Sequence, residues 1–103
     1  MGLERYLIRV SPRELMVTTL LKLVNERIST ANQKLESCEN LIKEKLGDEA
    51  SKTNLPLWIG NSVKSEKKLL QFLEFLKNKG LEESDLKIVE SSIREARELL
   101  GFS

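Results

Sequence analysis

An all-α fold, a long N-terminal helix followed by an antiparallel helical hairpin in one domain over residues 1–103, is what the sequence predicts, and three observations predict it. Apolar residues recur at alternating steps of four and three from Val17 to Ile42, the period of a helix that buries one narrow stripe. The same spacing returns at Leu86, Val89, Ile93, Ala96 and Leu100, and a denser apolar row runs through Leu69, Phe72, Leu73 and Leu76. Gly47 and Gly80 stand where two of these rows stop, the position at which a helix ends in a left-handed residue.

The first helix begins at a Ser11, Pro12 and Glu14 signature: a capping hydroxyl, a proline where no amide hydrogen is needed, and a carboxylate that closes a capping box. Before it, residues 5–10 read equally as a short strand or a short helix, since Tyr6, Ile8 and Val10 alternate while Leu3, Tyr6, Leu7 and Val10 share a helical face. Ser29, Thr30 and Gln33 imitate a second helix start, but the apolar row keeps its phase through them. A turn would reset that phase, so one helix is expected over 12–46.

A connection follows Gly47, polar at first and then apolar at Leu55, Pro56, Leu57, Trp58 and Ile59. Because proline disfavours the helical region for the residue before it, this run is expected to be an extended loop. Leu55, Leu57 and Trp58 are the residues through which it would cap the core or, alternatively, dock on a partner, tryptophan being enriched among interface anchors. The next helix is expected to start near Asn61 or Ser62 and to stop at Gly80, with Leu81 folding back on Leu76. The last helix spans roughly 82–100, with Glu90 and Glu98 each four residues from Arg94, as on a solvated face.

Composition removes several functions. The chain has 17 basic and 16 acidic residues, no histidine and one cysteine. Common zinc sites and histidine-dependent triads therefore lack their ligands and their base. The five glycines are scattered and form neither a phosphate loop nor a dinucleotide fingerprint. No catalytic residue, metal, cofactor or small-molecule substrate is implied. No apolar run approaches the roughly 20 residues that span a bilayer, and no signal-peptide core opens the chain. A cytoplasmic protein is expected.

Two surfaces remain as candidates. The seam Leu21, Val24, Ile28, Ala31, Leu35, Cys38 and Ile42 lies on a helix roughly 50 Å long, whereas a hairpin of helices roughly 27 Å long covers only about half of it. Its uncovered part calls for a second chain, and the polar flanks Thr18, Asn25, Asn32 and Glu39 keep the seam narrow enough for helix pairing. Cys38 reads as a small buried apolar residue of the seam. The second surface is the group Ser62, Lys64, Ser65, Lys67 and Lys68 in what would be the opening turns of a helix, where the dipole disfavours cations and local energetics would have chosen acids. Those lysines could hold phosphate or an acidic partner.

The sequence therefore points to a non-catalytic helical interaction module, an accessory or adaptor subunit that self-associates or docks on a larger assembly through its long helix. The alternative is a nucleic-acid binder using Lys64, Lys67 and Lys68.

Overall fold

The computed structural model describes residues 12–102, with side chains from Met16 onward. Residues 5–10, the Ser11 hydroxyl and the Glu14 carboxylate of the expected capping box fall outside what is described. Among the described residues the chain forms five helices and no strand: α1 (Pro12–Leu46), α2 (Asp48–Ser51), α3 (Leu55–Lys64), α4 (Glu66–Asn78) and α5 (Glu83–Leu100).

Helix α1 runs unbroken through Ser29 and Thr30, as the unshifted phase requires. The Thr30 hydroxyl does not cap a new helix; it donates to the Glu26 carbonyl one turn back, at 3.0 Å. Gly47, with φ of 55°, stops α1 in a conformation that costs glycine little. The single turn α2 then presses Ala50 into the core.

The apolar connection is not a loop. Leu55 to Lys64 is the helix α3, begun by the Asn54 side chain accepting from the amide of Leu57 at 3.3 Å. Pro56 sits in its first turn, where the missing N–H would have had no partner. The expected single helix from Asn61 to Gly80 is correspondingly two helices, broken at Ser65, whose backbone is extended at φ −143° and ψ 127°. The Ser65 hydroxyl accepts from the amide of Lys68 at 3.3 Å and so starts α4. A break here is needed because Leu55, Ile59 and Val63 on one side and Leu69, Phe72 and Leu76 on the other would lie about a quarter turn apart on one straight helix. Bending at Ser65 brings both rows, all of them buried, into one core.

Helix α4 closes on Gly80 at φ 103°. The amide of Leu81 donates to Leu76 and that of Gly80 to Lys77, both at 3.0 Å, which is the paired reverse bonding of a Schellman turn. Leu81 is buried, as expected. Helix α5 ends the same way at Gly101, with Phe102 donating back to Arg97. The start of α4 meets the end of α5 through Glu66 and Arg94, so the two form the expected antiparallel hairpin. Lys34 pairs with Glu95 at 2.8 Å, placing α5 along the inner half of α1. The core gathers Cys38 and Ile42 of α1 with residues of every later helix.

The bend at Ser65 leaves the last carbonyls of α3 without intrahelical donors. Arg97 supplies them. Its Nε donates to the Val63 carbonyl at 3.0 Å and its Nη2 to that of Ser62 at 2.7 Å, while Nη1 reaches the Glu66 carboxylate. Arg94 holds the same carboxylate with both Nη groups, at 2.8 and 2.7 Å. Its Nε keeps the expected bond to Glu90, at 3.0 Å. Hydrogen bonds from Arg94 first and Arg97 second hold the Glu66 carboxyl down at about 2. The elbow between α3 and α4 is thus fastened to the last turns of α5.

Candidate partner interface

The seam of α1 divides in the middle. Ala31, Cys38 and Ile42 are fully buried by the chain's own later helices and Leu35 is half-buried. The expected interface therefore contracts, because these positions are already occupied from within. Toward the N-terminus Ile28 is 41% exposed, Val24 49% and Leu21 59%. Met16, Val17, Leu20 and Leu23 are also at least half exposed, and all of these residues fall within less than half of the helix circumference.

This division follows from length. Helix α5 lies antiparallel to α1 and ends where Leu99, Leu100 and Phe102 come beside Val24 and Ile28. From that step outward α1 has no later helix to cover it. The described chain accordingly measures 60 × 26 × 22 Å with a radius of gyration of 18.9 Å, well above the roughly 13 Å of a compact domain this size. At the step, Val24, Arg27 and Ile28 of α1, Leu99 and Leu100 of α5, and Phe102 just beyond it line an open, mainly apolar cleft of about 380 Å³. Phe102 is itself 46% exposed. Neither the cleft nor the Phe102 edge was read from the sequence, because both depend on where α5 ends along α1.

Cys38 lies in the core with its thiol pushed up to about 12, by burial first and by the neighbouring Glu39 second. The thiol therefore stays protonated, and the side chain is packed within its own chain as a small apolar residue. Leu55 is also in the core, and Trp58 stacks on Phe72 and Phe75 with ring centroids 5.5 and 5.0 Å away. Of the three docking-loop residues only Leu57 faces outward.

The basic group is rearranged by the bend. Ser62 is fully buried and donates to the Trp58 carbonyl at 2.7 Å. Lys64 is the last residue of α3, where a cation suits the dipole. Lys67 and Lys68 remain in the first turn of α4, beside Glu66. The five residues therefore do not line one helix start. A shift of the apolar phase between Val63 and Leu69 is the signal that reveals this in the sequence.

Among the described residues no group of His, Cys, Asp and Glu is arranged to hold a metal ion, and no helix is long and apolar enough to cross a membrane. Compared with known proteins, the chain matches no family model, no curated protein and no solved structure.

Proposed function

We propose that this chain is a non-catalytic helical interaction module, an accessory or adaptor subunit whose body holds out the N-terminal half of α1 for another protein to cover. The observation that supports it is the contiguous apolar face from Met16 to Ile28 on a helix that extends past its own α5. Monomeric proteins rarely leave patches above a few hundred Å² in water, and at about 25 cal/mol per Å² the incentive to cover this one is large. The inner half of the same seam, packed by α5, illustrates the geometry a partner helix would adopt.

The nucleic-acid alternative draws less support. Burial of Ser62 and the separation of Lys64 from Lys67 and Lys68 leave two exposed lysines at a helix start with an acid next to them. Salt separates the two readings, since phosphate binding weakens steeply with salt and apolar docking does not.

The docking reading is tested with Leu21→Asp and Ile28→Asp together. Association, with whatever protein covers the face, should be lost, because the partner would have to bury unpaired carboxylates. The melting of the body, followed by Trp58 fluorescence at a dilution where no association remains, should change little, with any loss confined to Ile28 where it borders Leu100 and Phe102. Association that survives both substitutions would refute docking through this face.

A further inference from the structure

We propose that the outward half of α1 is covered by the same half of a second copy, the two helices running antiparallel about a two-fold axis between Leu21 and Val24. This rests on the docking reading above and names its partner.

The first argument is area. The side chains that this register covers, Val17, Leu20, Leu21, Val24 and Ile28 together with Phe102, present on the order of 600 Å² to water, at the lower end of what each partner contributes to a standard stable interface, roughly 800 Å² on average. One copy of this row is enough to cover another, with Met16 and Leu23 left outside the pair.

The second argument is spacing. Val17, Leu21, Val24 and Ile28 are separated by four, three and four residues, an order that reads the same in both directions. Two antiparallel copies keep all four in register, Leu21 against Val24 and Val17 against Ile28, each pair made twice by the symmetry. A parallel pair would also match residue for residue, but beyond Ile28 the seam of each α1 already carries its own α5. The two bodies would then compete for the same space. Antiparallel pairing sends them to opposite ends, where only the first turn of each α1, before Val17, reaches alongside the end of the other copy's α5.

The third argument is the cleft at the end of α5. In this register Val17 of the second copy lands opposite Ile28, where Val24, Ile28, Leu100 and Phe102 leave their opening. The outer turn of one α1 fills the step on the other, and the exposed Phe102 edge gains a neighbour.

The experiment uses the full chain with Val17→Cys in one preparation and Ile28→Cys in another, mixed in equal amounts at micromolar concentration. Native Cys38 stays, since it is buried in the core. Light scattering gives the mass. After mild oxidation with diamide, disulfides are mapped by peptide mass, and maleimide labelling reports access to each new thiol. The proposal expects twice the mass of one chain and a disulfide from 17 to 28 at least tenfold above either same-position disulfide. A dimer joined mainly 17 to 17 and 28 to 28 overturns the antiparallel arrangement. A monomer with both thiols freely labelled overturns the second copy and leaves the docking face intact. A monomer with both thiols protected means that the chain's own first residues cover the face, which overturns this proposal and the docking reading together.

Discussion

Arg97 lies across the open end of α3, its Nε donating to the Val63 carbonyl at 3.0 Å from 34 residues further along the chain. Its side chain is only 13% exposed, and it serves two carbonyls that no helix bond reaches. Arg97→Met keeps the aliphatic stem but strands both acceptors, and should cost roughly 2 kcal/mol. Arg94→Met removes a pair at the surface and should cost about 1 kcal/mol or less. Denaturant midpoints compare the two. Equal losses would show that Arg97 acts only as a second cation for Glu66.

Glu66 makes the same elbow sensitive to acid. Its carboxyl is held at about 2 in the folded chain against an ordinary value of 4.5. A depressed folded value contributes stability that is complete above about 4.5 and lost as the pH falls toward 2. Wild type should therefore exceed Glu66→Gln in melting temperature at neutral pH, with the gap closing across that window. A gap unchanged from pH 6 to pH 2 would exclude ionisation as its source.

Two alanine substitutions on the one seam should behave oppositely. Ile42→Ala empties a fully buried site and should cost roughly 2 to 5 kcal/mol of body stability. Leu21→Ala, at a site more than half exposed, should move the body's unfolding by no more than about 0.5 kcal/mol. Chemical denaturation followed at Trp58 reads the body alone. A large loss for Leu21→Ala that is independent of protein concentration would mean that the outer half of α1 is packed by its own chain.

Trp58 should emit in the blue in the isolated protein, because it stacks on Phe72 and Phe75 against the core. Trp58→Ala should cost roughly 3 kcal/mol, at the lower end for large aromatic truncations since the ring is not fully buried. A red emission that shifts only when another protein is added would make it a contact residue after all.

What could be read from the sequence depended on how far each signal reaches. The unbroken α1 was legible because phase is a local, cumulative property that Ser29 and Thr30 did not disturb. Gly80 and Leu81 were legible because a Schellman turn needs one glycine and one apolar residue close by. The stretch from Leu55 to Ser65 was misread since one proline supports two opposite readings, a loop that it stiffens and a first turn that it favours. Asn54 as cap and the shift in phase across Ser65 decide between them, and the phase test that kept α1 whole would have divided α3 from α4. That the seam outruns its hairpin was also legible, because helix lengths follow from residue counts. The remainder, including Arg97 and the cleft beside Phe102, depends on contacts between residues far apart in the chain, which periodicity does not encode.

Helix α1 also carries two stabilities within one uninterrupted set of hydrogen bonds. Its inner residues are buried in the core and should open only when the body unfolds, whereas the outer turns, exposed among the described residues, should be held mainly by their own ladder, over a length at which helices in water are marginal. At dilutions where no second copy covers it, amide hydrogen exchange should therefore grade along the single helix, slow from Ala31 inward and faster from Ile28 outward. Any protein that covers the outer face should flatten that gradient in proportion to its occupancy. The backbone of α1 thus becomes a gauge of how much of the protein is engaged, readable before the partner has been identified.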